Sequence, residues 1–175
     1  MVNLTLNDRD SSPMKKLIAL GVLAASLCLS HAQIFYQASL DPAQDGGGAR
    51  SGSGVGSFTL NGNIITYNVT FSGLSAPTIA AHIHGSAPPG VNAPVLFPFT
   101  GPFGTTSGTF SGTTAPLTVQ QISDLNAGLF YANIHTVNFG GGEIRGQITA
   151  VPEPTTLALL SASGLLALAV RRKKA

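Results

Sequence analysis

Residues 58–71 have the sequence FTLNGNIITYNVTF, and this stretch decides the fold class. From Ile65 to Phe71, apolar side chains alternate with polar ones, which is the period of a β-strand with one buried face. The Asn61-Gly62 pair can supply the two positive φ angles of a type I′ turn, so we expect a two-residue loop with Leu60 opposite Asn63. The stretch predicts a hairpin whose buried face carries Phe58, Ile65, Tyr67, Val69 and Phe71.

Further short strand candidates occur along the chain, separated by turns rich in glycine and proline such as residues 87–90 (APPG) and 140–142 (GGG). The candidates are Ile34–Leu40, Ile79–His84, Val95–Phe99, Thr109-Phe110, Leu129–Thr136 and Glu143–Thr149. We expect the Gly- and Ser-rich segment from Gly46 to Gly56 to be a loop or a weak edge strand. Many short strands with such turns indicate an all-β fold, a small antiparallel β-sandwich or barrel.

One short helix is expected between these strands. Thr118 and Gln121 have the spacing of a capping box, and Leu117 and Ile122 are placed as a hydrophobic staple around it. Gly128 follows where a left-handed residue would end the helix.

The composition excludes several classes of protein. The chain has 175 residues, of which only 9% are charged, whereas an ordinary soluble domain has about a quarter. Residues 33–150 contain no lysine and two arginines, Arg50 and Arg145, against four carboxylates, so a nucleic-acid binder is excluded for lack of a basic surface. The single cysteine, Cys28, precedes this segment, which therefore offers neither a disulfide nor a thiolate ligand.

The N-terminal part has the pattern of an export signal. Met14-Lys15-Lys16 and the apolar run 17–29 correspond to the n- and h-regions of a signal peptide covering residues 14–32. Small residues before the junction predict that signal peptidase cuts between Ala32 and Gln33. We interpret residues 1–13 as an extension from an early start site. A lipoprotein signal at Cys28 is the alternative, and Leu27 before it disfavours that alternative.

The C-terminal residues 151–175 have the pattern of a second targeting signal. Pro152-Glu153-Pro154 precede the uncharged segment 155–170, and Arg171-Arg172-Lys173-Lys174 follow. A basic end after an apolar helix also fits an ordinary single-span anchor. The three parts together resemble the PEP-CTERM sorting signal of Gram-negative bacteria. The resemblance implies a transmembrane helix over residues 155–170, a transient inner-membrane anchor, processing by an exosortase, and a final location at the cell surface or outside the cell.

Histidines are the main candidates for chemistry in residues 33–150. In His82-Ile83-His84 and in Asn133-Ile134-His135 the polar side chains flank an apolar residue, so each strand would place its imidazoles on the polar face. Three converging imidazoles could hold Zn²⁺ or Cu²⁺ with an open position. The alternative is that these histidines only form hydrogen bonds with nearby backbone. Glu143 and Arg145 flank Ile144 in the same way and predict a structural ion pair. No residue is predicted to be catalytic.

Three segments carry a second resemblance: AHIHG (81–85), YANIHT (131–136) and GEIRGQI (142–148). In order and spacing they are similar to the signatures of the CHRD domain, which was named for the extracellular protein chordin and also occurs in secreted microbial proteins. The resemblance implies an extracellular β-rich module over residues 33–150. Its expected architecture is immunoglobulin-like or similar to that of the Cu/Zn superoxide dismutases, which also bind copper with a His-x-His strand.

Two functions from different classes remain open at this stage. The first is a secreted or surface-displayed non-enzymatic module, sorted by the exosortase, associated with the envelope or an exopolysaccharide matrix, and requiring no cofactor. The second is an extracellular copper- or zinc-binding protein that uses the His-x-His strand and is redox active. Metal analysis of the protein purified without a His-tag would separate the two.

Overall fold

The computed structural model describes residues 33–46 and 48–152, which form nine strands, one α-helix and one 3-10 turn. The predictions for residues 1–32, for Glu153 and Pro154, and for the helix over 155–170 lie outside the described residues. The strands are β1 (Ile34–Leu40), β2 (Ser53–Asn61), β3 (Ile64–Ser72), β4 (Thr78–His84), β5 (Val95–Pro98), β6 (Gly108–Thr113), β7 (Tyr131–Thr136), β8 (Ile144–Gln147) and β9 (Thr149–Ala150). The 3-10 turn is Ala43–Asp45 and the helix α1 is Val119–Asn126.

The strands form two antiparallel sheets. One has five strands in the order β6-β3-β2-β1-β9, and the other has four in the order β5-β4-β7-β8. A single cluster of buried apolar side chains takes members from both sheets, among them Phe58, Phe110, Ile83 and Ile134. Alternation along each strand sends these side chains inward, so the two sheets enclose one core. The predicted all-β sandwich with one short helix is confirmed.

The hairpin has the predicted faces but a different register. Leu60 lies opposite Ile65 in the structure, where the sequence had suggested Asn63. The two turn residues are Gly62 and Asn63, and Gly62 has φ +60° while no residue other than glycine has a positive φ in the described residues. A type II′ turn needs a positive φ only at its first central residue, so this turn avoids straining an asparagine. Because the register shift is two residues, the buried face is unchanged.

The segment expected to be a loop or an edge strand is in part a central strand. β2 begins at Ser53 and lies between β1 and β3. A Cβ added to Gly56 would lie only 2.6 Å from the ring of Phe58, so the missing side chain makes room for that ring. Glycine at this position therefore serves close packing, and the edge-strand interpretation is wrong for residues 53–56.

The helix has the expected ends. Thr118 Oγ1 accepts a hydrogen bond from Gln121 N at 3.2 Å, and Gln121 Oε1 accepts one from Thr118 N at 2.9 Å. Gly128 has φ +70° and its N–H bonds to Leu125 O. These contacts satisfy donors and acceptors that a helix terminus would otherwise leave open. The capping box and the glycine stop are both confirmed.

The first and last strands of the domain lie side by side. Tyr36 of β1 is opposite Ala150 of β9, and the N–H of Val151 bonds to Phe35 O at 2.8 Å. The chain therefore enters and leaves the domain along the same edge region of the five-stranded sheet.

Candidate metal centre

Strand β4 presents two imidazoles on one face of the four-stranded sheet. Ile83 is fully buried in the core, so the alternation of the strand turns His82 and His84 away from it. This placement agrees with the sequence pattern. On this side of β4 the two rings lie edge to face with centroids 5.5 Å apart.

Strand β7 brings the third imidazole to the same place. β7 is antiparallel to β4, with His82 opposite Asn133 and His135 opposite Ala80. The Nδ1 atom of His82 lies 3.1 Å from Nε2 of His135. Each of the three histidines offers one ring nitrogen, and these nitrogens all lie within 4.8 Å of one another. The predicted convergence of His82, His84 and His135 is therefore what the structure shows.

The polar face that carries these histidines is largely covered. His84 is 8% exposed and His135 is 7% exposed, while His82 is half-buried. Loop residues supply the cover, because Ala93 contacts His84 and Gly140 contacts His135. The sequence pattern indicated a polar face but gave no sign that loops between distant strands would close over it.

Backbone carbonyls fix the orientation of two of the rings. His84 Nδ1 donates to Ala93 O at 2.9 Å, and His135 Nδ1 donates to Gly140 O at 3.1 Å. A carbonyl oxygen only accepts hydrogen bonds, so in both neutral rings the proton is on Nδ1 and Nε2 carries a lone pair. His84 Nε2 is buried and has no hydrogen-bond partner among the described residues. A buried acceptor without a partner costs free energy unless a ligand fills the site.

The surroundings keep all three imidazoles neutral at pH 7. Burial lowers the pKa of His135 to about 4, and the neighbouring His82 lowers it as well. Burial and His84 lower the pKa of His82 below its usual value. Burial is also the main reason that the pKa of His84 is lowered. Neutral imidazole is the form that binds a metal ion.

Tyr131 and Arg145 support His84 in a way the sequence did not suggest. The Tyr131 ring stacks on His84 with centroids 4.9 Å apart and planes 7° from parallel, and its hydroxyl accepts a hydrogen bond from Ala93 N at 2.9 Å. The guanidinium carbon of Arg145 lies 3.3 Å from the centre of the same ring. Arg145 also donates to Val91 O at 2.8 Å. Tyr131 thus contacts both the His84 ring and Ala93, whose carbonyl accepts the hydrogen bond from that ring.

Glu143 and Arg145 have separate partners instead of the predicted ion pair. The Glu143 carboxylate accepts hydrogen bonds from Ser75 N at 2.7 Å and Thr136 Oγ1 at 2.7 Å, and a longer one from Ser51 N. The Arg145 guanidinium instead bonds to neutral acceptors in residues 91–92 and stacks on Tyr131. Glu143 lies before β8, whereas Arg145 lies within it. Strand alternation therefore sets the direction of the Arg145 side chain but not that of Glu143.

Residues 36–148, which include the histidine cluster and all the strands except β9 and the start of β1, match the model of the CHRD domain. The chain belongs to the CHRD family. Residues 150–173 of this CHRD protein match the PEP-CTERM protein-sorting motif. No curated protein and no solved structure matches the chain.

The two family matches describe an exported protein that an exosortase sorts to the cell surface. The CHRD domain is the extracellular part, and the sorting motif follows it directly in the chain. Within residues 33–46 and 48–152, no helix combines the length and apolar character needed to cross a membrane.

Proposed function

We propose that this CHRD protein binds one copper or zinc ion at the cell surface through His82, His84 and His135, and that its role there is non-enzymatic. The buried Nε2 of His84 carries this proposal, because it has no partner among the described residues and two further imidazole nitrogens lie within 4.8 Å. Such a lone pair is costly when left empty and is the ligand that Cu²⁺ and Zn²⁺ use most often.

The distances suit a metal ion of this size. Zinc binds imidazole nitrogen at about 2.0–2.1 Å, which places two ligands of a tetrahedral site about 3.3 Å apart. The observed separation of 3.1 Å between His82 Nδ1 and His135 Nε2 is close to that value. These two nitrogens share a hydrogen bond that His82 donates, so a metal ion would replace it once the His82 proton moves to Nε2. His84 and His135 each donate their other ring N–H to a carbonyl, which is the usual outer support of a metal-binding histidine. Imidazole sites generally bind Cu²⁺ more tightly than Zn²⁺.

A non-enzymatic role is favoured by how the nearby carboxylates are used. Glu143 is fully buried and accepts hydrogen bonds from Ser51, Ser75 and Thr136, and Asp45 lies 3.7 Å from Nε of Arg50. Glu143 is therefore not placed to exchange protons with a substrate at the histidines, and Asp45 is engaged by Arg50.

Metal titration of the exported protein tests the proposal. We expect one Cu²⁺ or Zn²⁺ per chain and a higher melting temperature with metal, because the ion binds only the folded site. His84→Ala removes one of the three ligands. We expect it to weaken metal binding by about 100-fold, because a change in a group that only supports a ligand already weakens binding by up to about this factor. Binding should also weaken as the pH falls from below 6.5 towards about 4, because the folded histidines have lowered pKa values and protonated imidazole cannot be a ligand.

The matched control for this titration is Asn68→Ala, which changes an exposed side chain on the other sheet. Isothermal titration calorimetry would measure all three proteins. Identical isotherms for the wild type and His84→Ala would show that the histidine cluster is not a metal site and would leave its hydrogen bonds as its role.

Association with a polysaccharide matrix is a second candidate, supported by the outer face of the five-stranded sheet. Most side chains on this face carry hydroxyl or amide groups, with the exposed Phe35 and Val55 among them, and no charged residue is among the exposed ones in β1, β2, β3, β6 and β9. They form rows across the sheet, for example Thr59, Thr66 and Thr113, and next to it Ser57, Asn68 and Ser111. Hydroxyl and amide groups without charge suit a hydrated, uncharged glycan better than they suit a charged polymer.

Co-sedimentation of the exported protein with purified exopolysaccharide tests this association. Thr66→Glu places a charge in the middle of the hydroxyl rows and should reduce the bound fraction several-fold, because the carboxylate would have to lose its water on contact. Thr106→Glu adds the same charge in an exposed loop and should leave binding unchanged. An equal bound fraction for both variants would argue against this face as the contact surface.

A further inference from the structure

The ligand set of the histidine cluster is electrically neutral. Within the described residues the three converging groups are imidazoles, and the neighbouring carboxylates Asp45 and Glu143 are not among them. A divalent ion bound there would carry two positive charges into a site where two of the ligands are more than nine-tenths buried. A buried charge of this size requires compensation, which neutral donors do not supply.

A cleft of about 360 Å³ lies next to the loops that cover the cluster, and none of the three histidines lines it. Its walls are the 3-10 turn, residues 90 and 92, residue 141, and the side chains of Arg50 and Arg145. The carbonyls that orient His84 and His135 belong to Ala93 and Gly140, each next to a residue of these walls. The loops that line the cleft are therefore the loops that hold the imidazoles.

The cleft is more positive than negative. Arg50 and Arg145 line it together with one carboxylate, Asp45. Arg145 is held in place by Tyr131 and by Val91 O, and the partners that hold it are neutral. Electrostatic influence reaches the cluster, because Arg145 lowers and Asp45 raises the pKa of His84. Two fixed cations at the edge of a site raise the local concentration of small anions.

We infer that a metal ion held by His82, His84 and His135 keeps one coordination position for a small anion from solution, and that the positive charge of the neighbouring cleft, which Arg50 and Arg145 line, favours its binding. The inference rests on the proposed metal site and names the ligand that completes it. Halide, azide and small carboxylates belong to this class, since each brings a single negative charge and a donor atom. Three protein ligands and one exchangeable position are typical of open metal sites.

Azide titration of the exported protein loaded with one Cu²⁺ tests the inference. We expect a saturable azide-to-copper charge-transfer band and a matching change in the electron paramagnetic resonance spectrum. Arg50→Gln should weaken azide binding about three- to tenfold, because it removes a positive charge close to the site. Asp45→Asn should strengthen azide binding by a similar factor, because it removes the opposing negative charge.

The matched control is Asn68→Asp, which changes the net charge by the same amount as Arg50→Gln but lies on the outer face of the five-stranded sheet. Its azide affinity should equal that of the wild type. The opposite signs expected for Arg50→Gln and Asp45→Asn separate electrostatics from distortion of the cleft, which would weaken binding in both.

Three results would overturn the inference, each in a different way. Copper binding with spectra that do not respond to azide would show that no position is open to an exogenous anion, and the proposed metal site would stand. Absence of copper binding would overturn the metal site and this inference together. Weaker azide binding in both cleft variants would overturn the assignment of the cleft charges to anion binding.

Discussion

Tyr67→Ala is expected to lower the free energy of unfolding by about 3–5 kcal/mol, as for other buried aromatic residues. Tyr67 is 2% exposed, and its ring lies 4.6 Å from that of Phe99. Its hydroxyl also accepts a hydrogen bond from Thr100 N at 2.8 Å. The substitution would leave a cavity between the sheets and a backbone donor without its partner. Urea denaturation of the exported protein would measure the loss.

Two variants divide that effect into its parts. Tyr67→Phe keeps the ring and removes only the acceptor for Thr100 N. We expect it to lower the free energy of unfolding by about 1–2 kcal/mol. Asn68→Ala, one residue along on the exposed face, should cost less than about 0.5 kcal/mol. Equal losses for Tyr67→Ala and Asn68→Ala would be incompatible with the alternation of buried and exposed residues in β3.

Glu143→Ala is the second substitution with a large expected effect, about 3–5 kcal/mol. Glu143 is fully buried, and its carboxylate accepts hydrogen bonds from Ser51 N, Ser75 N and Thr136 Oγ1. Removal leaves these donors without the acceptor that the fold provides, at about 1–3 kcal/mol for each buried group. Glu143→Gln keeps one oxygen as an acceptor and should cost less than half as much.

Acid denaturation should distinguish Glu143 from the histidines. Burial alone would raise the pKa of Glu143, but the hydrogen bonds from Thr136, Ser75 and Ser51 outweigh it and lower the pKa below 4.5. A carboxylate with a lowered pKa stabilises the fold fully above about pH 4.5, and this contribution is lost as the pH falls further. In Glu143→Gln that part of the acid transition should be missing.

The histidines affect the stability of the fold at higher pH than Glu143 does. Their pKa values are lowered in the folded protein, that of His135 to about 4, so below pH 6.5 the unfolded chain binds protons that the folded protein does not. Stability should therefore decline between about pH 6.5 and pH 4 in the wild type and in Glu143→Gln alike. A Glu143→Gln variant with the complete wild-type pH profile would contradict the assignment of the lower window to Glu143.

The sequence predicted local features well because each depends on residues close in the chain. Alternation from Ile65 to Phe71 determined which face of β3 is buried, and the spacing of Thr118 and Gln121 determined where α1 begins. The hairpin register was missed because two turn types fit the same asparagine and glycine, and they differ in which pair of residues forms the loop.

The candidate site was predictable only in part. Its three histidines followed from strand alternation, but their meeting depends on β7 lying beside β4, an order that no local spacing encodes. The same is true of the stack of Arg145 on Tyr131 and of the loops over His84. The predicted pair of Glu143 and Arg145 failed because residues from distant loops provide better partners for each.

The neighbouring positions of β1 and β9 give the domain a single point of attachment. Tyr36 and Ala150 are opposite each other in this two-residue pairing. A force applied between the two ends would therefore separate β9 from β1 one residue pair at a time, before it acted on the rest of the sandwich. Close ends also make a domain of this kind easy to insert into, or join to, other chains, since neither flanking segment has to cross the core.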